Sequence, residues 1–269
     1  MRVPLPASLR ADVVNRTDEP ARPVDAATVM LLRDGGERVE AYYLRRQRSM
    51  AFAAGMYVFP GGRVDPRDAD ANVRWVGPPA AEWAARLGCD ESLARALVCA
   101  AVRETFEEAD VLLAGDTGHV VADVSGADWA ADRQALVAHE VSLASVLERR
   151  GLAVRSDLLA PWAHWITPEF EPRRYDTRFF VAVLPEGQRT RDVSTEADHV
   201  EWLAPDAALR REERGDIAMM PPTRVVCRDL AALSTAAESL TAAADRRIAP
   251  VMPRLVEDAG EYFLEAELP

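Results

Sequence analysis

Arg103-Glu104-Thr105-Phe106-Glu107-Glu108 closes a helical run that begins near Asp90, and it sets three carboxylates within five residues. At about 3.6 residues per turn, positions i, i+3 and i+4 share a face, so Glu104, Glu107 and Glu108 project within an arc of roughly 100°. Val98, Val102, Phe106 and Ala109 fall on the other side. This division predicts a helix with its back in a core and an acidic front turned to solvent. Like charges so close repel, and carboxylate oxygens are the ligands that hard divalent cations such as Mg²⁺ or Mn²⁺ take. Ala100 and Ala101, one turn earlier, are small enough to leave room above the helix. A solvated acidic face is the competing reading of the same residues.

Upstream, Met56-Tyr57-Val58 reads as a short strand running into Phe59-Pro60-Gly61-Gly62. FPGG and R-E-T-F-E-E together resemble the box of the Nudix hydrolases, G-x5-E-x7-R-E-U-x-E-E-x-G-U with U apolar. Three departures stand out. Forty residues separate Gly62 from Arg103 where the pattern has thirteen, so about 27 are inserted. Counted back from Arg103, the pattern's first Glu falls on Arg95. Asp110 stands at the second Gly, and Thr105 takes an apolar slot. Further, Gly55-x3-FPGG-x2-Asp65-x2-Asp68 is similar to a segment of the Nudix coenzyme A diphosphatases. Leu44 to Ser49, with Arg45, Arg46 and Arg48, loosely resembles another part of that motif, although Phe52-Ala53 replaces its Leu-Arg. The long insertion also resembles the peroxisomal-type subgroup.

The resemblance implies an α/β (α+β) chain folded as a Nudix-type α/β/α sandwich around a mixed β-sheet. It implies hydrolysis of a nucleoside diphosphate linked to another group, with coenzyme A or acyl-coenzyme A as substrate and 3′,5′-ADP and (acyl-)4′-phosphopantetheine as products. Mg²⁺ or Mn²⁺ is the expected cofactor, held by Glu104, Glu107 and Glu108. Arg103, four residues before Glu107, can pair with it across one turn. Gly61 and Gly62 let the backbone turn tightly under the metals. Arg46, Arg48 and Arg174 are the expected phosphate contacts, since guanidinium forks match phosphate oxygens. The competing reading makes the first two part of a solvated basic loop and pairs Arg173, Arg174 and Arg178 with Glu169, Glu171 and Asp176. Glu169, Glu171, Glu186 and Glu196 are open as general base. An ADP-ribose or dinucleotide pyrophosphatase is the alternative activity, and an inactive Nudix-like nucleotide-binding module is the alternative class.

Composition narrows the partners. A net charge of −12 argues against nucleic acid, which needs a basic surface. With 49% hydrophobic residues a core is well supplied. Cys89, Cys99 and Cys227 are too scattered for a disulfide framework or a zinc site, and no stretch approaches the ~20 apolar residues of a membrane span. These features point to reduced thiols in a cytoplasmic, soluble protein with a small-molecule substrate and no membrane partner; a homodimer is left open. No G-x-S-x-G elbow or dinucleotide glycine fingerprint is present, and the four histidines lack metal spacing.

Along the chain, residues 1–24 read as a loose leader, 25–220 as the hydrolase domain with its insertion at about 63–90, and 221–269 as a helical C-terminal extension packed on the same domain. Residues 26–33 (AATVMLLR) read as a buried strand paired with 39–45 across Asp34-Gly35-Gly36. Helices are expected at 80–87, 134–150, 205–214, 222–233 and 234–247. Strands are expected at 162–166, 177–184 and 198–203, and 261–267 is expected as an edge strand. Residues 114–132 read as a loop.

Overall fold

The computed structural model describes residues 1–6, 9–17, 19–50 and 53–269, so Phe52 lies outside the described residues. The chain opens with β1 (Arg2–Pro4) and the short helix α1 (Arg10–Val14), both within the stretch expected to be loose. Strands β2 (Val24–Asp34) and β3 (Val39–Arg46) form the expected hairpin. Two short strands follow, β4 (Tyr57–Val58) on β3 and β5 (Gly61–Arg63) on β2. Beyond β6 (Trp75–Val76) and α2 (Ala80–Leu87) comes the long helix α3 (Glu91–Ala109). β7 (Ala114–Gly115), α4 (Ala127–Val137), α5 (Leu143–Arg149) and β8 (Ala153–Arg155) lead to the hairpin of β9 (Leu159–Ile166) and β10 (Tyr175–Val183). After β11 (Ala197–Leu203) come helices α6 (Pro205–Glu213), α7 (Pro221–Leu230) and α8 (Ala236–Ala244), then β12 (Pro250–Val251), β13 (Arg254–Asp258) and β14 (Glu261–Glu265).

The main sheet has the order β11-β3-β2-β10-β9-β12 and is mixed: β2 and β10 run parallel, whereas β2–β3 and β9–β10 are antiparallel. The continuous apolar run in β2 has a physical reason. Successive side chains on a strand point to opposite faces, and here both faces are covered. Ala27, Val29 and Leu31 enter one core with Val98, Val102 and Phe106 of α3; Met30 and Leu32 enter the other with Val226 and Leu230 of α7 and Ala243 of α8. The result is the expected three-layer α/β/α sandwich.

The insertion is part of the core. Trp83 of α2 is 1% exposed and meets Phe180 of β10 at 5.8 Å between ring centroids. Burying so large a side chain contributes roughly 1.5–3 kcal/mol, which anchors α2 against α3. Elsewhere the expectations need correcting. The single helix over 134–150 is two, because Ser142 caps α5 in a reciprocal pair with Ser145 and His139 takes a positive φ of 55°. Residues 127–132, expected as loop, are the start of α4. The strand expected at an edge, β14, is the middle one of a separate three-stranded sheet, between β1 and β13. Among the described residues no helix is long and apolar enough to cross a membrane.

Candidate active site

Helix α3 starts where Asp90 accepts from the backbone N–H of Leu93 at 2.8 Å, and it ends at Asp110 in the left-handed conformation, φ 59°. Asp tolerates that conformation better than most residues. Its carboxylate, fully buried, pairs with Arg191 and lies 3.5 Å from Arg133. Asp110 can therefore stand where the pattern has Gly because two guanidinium groups hold its side chain.

The carboxylate face of α3 is not a solvent face. Arg103, Glu104, Glu107 and Glu108 are all buried, at 6–9% exposure. Ala100 and Ala101 are sealed in the core and leave no open space. What covers the acidic residues is β5, where Gly61 and Gly62 lie in a strand paired with β2 rather than in the tight turn expected of them. The Gly61 N–H donates to Glu108 Oε2 at 2.8 Å. A Cβ on Gly62 would lie 2.5 Å from Glu104 Oε1, and one on Gly61 would lie 2.5 Å from the Ala27 carbonyl oxygen. Only glycine permits this approach.

Arg103 is the hub. Its Nη1 donates to Glu104 Oε1 at 2.7 Å and to Glu107 Oε2 at 3.2 Å, the expected one-turn pair. Its Nε and Nη2 reach Asp68 at 3.1 and 3.0 Å, and Nη2 also donates to the Arg63 carbonyl. Asp68 resolves one departure from the pattern. Counted forward from Gly62, G-x5 ends on Asp68, so the acidic residue of the box is present and the extra residues enter after it. Arg95, reached by counting backward, lies over the Trp75 ring instead.

Burial is the main electrostatic fact of the site. It pushes Glu104 up to about 7, against the pull of Arg103, and raises Glu107 for the same reason. It holds Glu108 well above the usual carboxylate range, with the Glu104 charge adding to the shift. One guanidinium among several acids leaves the cluster short of positive charge. Glu107 Oε1 is buried and accepts no hydrogen bond. Oxygen donors that lack positive charge and carry an unused acceptor fit a hard divalent cation. In this arrangement Glu104 and Glu107 turn toward Arg103, and among the described residues no three acidic, His or Cys side chains stand close enough to enclose an ion.

A cavity of about 560 Å³ opens beside this cluster. It follows β2 from Thr28, beside Gly61, to Val24, beside Tyr175. The four residue steps between them span roughly 13 Å. Trp165, Phe179 and Pro221 line it with Arg46, Glu171 and Glu196. Of the expected phosphate contacts only Arg46 reaches the cavity, where it pairs with Glu196 at 3.0 Å. Arg48 is exposed and outside the lining. Arg174 is taken out of the site by the fold, donating to the carbonyls of Thr167 and Ala21. Arg178 pairs with Asp176, and so does His164, at 2.5 Å. Among the four candidate bases, Glu171 and Glu196 line the cavity, and Glu169 and Glu186 do not. Leu9 and Leu264 also reach the wall, and no local sequence signal marks either of them.

A model of the NUDT19 Nudix domain matches residues 89–228, just over half of the 269. The chain is 27% identical over 197 residues to putative nudix hydrolase 7 of Caenorhabditis elegans, covering 73% of this chain and 57% of that protein. It is 27% identical over 228 residues to acyl-coenzyme A diphosphatase NUDT19 of Gallus gallus, covering 68% and 58%. The chain thus spans less than three-fifths of the length of these curated relatives. The crystal structure of a NUDIX hydrolase from Alicyclobacillus acidocaldarius superposes with a TM-score of 0.68 at 29% identity, over 82% of this chain and 96% of that one.

Proposed function

Because the chain belongs to the NUDT19 Nudix domain family of Nudix hydrolases, we propose that it cleaves the diphosphate of coenzyme A or acyl-coenzyme A, giving 3′,5′-ADP and (acyl-)4′-phosphopantetheine. The observation that carries this reading is the set of buried carboxylates gathered on Arg103 at the wall of a cavity of about 560 Å³. The relatives named as acyl-coenzyme A diphosphatases favour coenzyme A over ADP-ribose.

Glu104, Glu107 and Glu108 would hold Mg²⁺ or Mn²⁺, which when bound neutralises the diphosphate and lowers the pKa of water. Arg103 keeps Glu104 and Glu107 aimed, and Asp68 keeps Arg103 in place. The Gly61 N–H orients Glu108. Glu196 is our candidate general base, because its charge acts on Glu108 and the two share the wall of a small adjoining pocket. Arg46, already at the cavity, is the phosphate contact. We propose the hydrolase domain over residues 25–220; residues 221–269, expected as a helical extension, also complete it, because α7 and α8 form its second layer and β12 joins its main sheet, while β13 and β14 lie in the smaller sheet. Three free cysteines suit a reducing, cytoplasmic setting, and sedimentation would test a homodimer.

The deciding experiment is a hydrolysis panel of coenzyme A, its thioesters, ADP-ribose and NADH with Mg²⁺, Mn²⁺ or EDTA. Coenzyme A or a thioester should give the highest kcat/KM, and EDTA should abolish turnover. Faster hydrolysis of ADP-ribose or NADH would remove the coenzyme A reading. No turnover of any compound would favour a binding module.

A further inference from the structure

At the end of the cavity away from α3, the β9–β10 loop carries Glu171. The residue is 4% exposed and lines the cavity, and among the described residues no hydrogen bond or ion pair reaches its carboxylate. The nearby charges acting on it are Asp12 and Arg174; no box glutamate is among them. Arg174 does not pair with it, being used by the carbonyls of Thr167 and Ala21. Around it the wall is apolar, with Trp165, Pro168, Pro253 and Leu264. Burial and the Asp12 charge raise its pKa to about 7. On the cavity wall its carboxylate offers an acceptor that no donor among the described residues uses, and that is open to a donor from a bound molecule.

We propose that Glu171 is a specificity-determining residue whose carboxylate accepts a hydrogen bond from an amide N–H of the substrate's pantetheine arm. This rests on the coenzyme A reading above. With the diphosphate beside Gly61 and the carboxylates of α3, an extended arm laid along β2 toward Val24 brings its two amides to the end where Glu171 waits. An amide there meets a buried carboxylate that has no partner among the described residues.

The test compares wild-type protein with Glu171→Gln and Glu171→Leu in steady-state kinetics on coenzyme A and on ADP-ribose, which has the diphosphate but no arm. A lost charge-assisted bond predicts a fall in kcat/KM for coenzyme A of about ten- to hundredfold, carried mainly by KM. ADP-ribose hydrolysis should change by less than about twofold, within the scatter of context-dependent surface effects. A second arm needs no variant to fold: on wild-type protein, coenzyme A analogues with each arm amide in turn replaced by an ester should lose the same factor at one position. On Glu171→Gln that loss should vanish. Equal losses on both substrates, or no loss at either ester position, overturns the proposal. If the wild type hydrolyses ADP-ribose and no coenzyme A species, the coenzyme A reading falls and this inference with it. If coenzyme A is hydrolysed and Glu171→Gln is indifferent, this inference alone falls.

Discussion

The carboxylate of Asp68 and the guanidinium of Arg103 meet at 3.0 Å with 2% and 7% of their side chains exposed, across the insertion that separates them in sequence. A buried ion pair is neutral to stability when intact, but removing one partner leaves an uncompensated charge and costs about 3–5 kcal/mol. Asp68→Ala should therefore lower the melting temperature and the rate together. Asp68→Glu, which lengthens the arm but keeps the charge, should recover more rate than Asp68→Asn. Thermal melts with parallel kinetics check this, and wild-type behaviour of Asp68→Ala would show that Arg103 needs no carboxylate partner at position 68.

Glu107→Gln and Glu108→Gln should each lower the rate by at least about 10²-fold, the scale of a lost metal ligand. Neither should destabilise the metal-free protein, because each removes a charge that burial penalises. Circular dichroism melts in EDTA, set beside single-turnover rates in Mn²⁺, separate the two effects. Full activity in both variants would leave the cluster without a catalytic role.

Stability should depend on pH in a definite direction. Glu104 is raised from its ordinary 4.5 to about 7, so between those values the folded state binds more protons than the unfolded one. Stability then falls as pH rises through that window. In EDTA the protein should melt lower at pH 7.5 than at pH 5.5, values chosen on either side of the shifted titration, and Glu104→Gln should reduce the difference, the remainder coming from Glu107, Glu108 and Glu171. Added Mg²⁺ should restore stability mainly at the higher pH. A Glu104→Gln profile identical to wild type would refute this assignment.

Arg46→Ala should erode the preference for coenzyme A over dephospho-coenzyme A, by about ten- to hundredfold if a full charge-assisted contact is lost. Arg48→Ala should have little effect, since Arg48 is exposed and lies outside the cavity. Competition kinetics with both substrates in one tube would read this directly, and an equal effect of the two variants would shift the phosphate contact to the loop.

Sequence alone determined what depends on neighbours along the chain. The 3.6-residue period gathered Glu104, Glu107 and Glu108 on one face and paired Arg103 with Glu107. The apolar run of β2 announced a buried strand. Whatever depends on burial or on contact across the chain needed the tertiary structure. The period of a helix says which residues share a face, but not what lies over that face. The acidic front was therefore open to being read as solvated until β5 and the following turn closed over it. A gap in a motif can be counted from either end, and only the contact between Asp68 and Arg103 shows which count is right. Arg174 and Glu171 lie on one loop, and their side chains have opposite fates. Backbone carbonyls bind the first and leave the second facing the cavity, a difference set by elements from both ends of the chain.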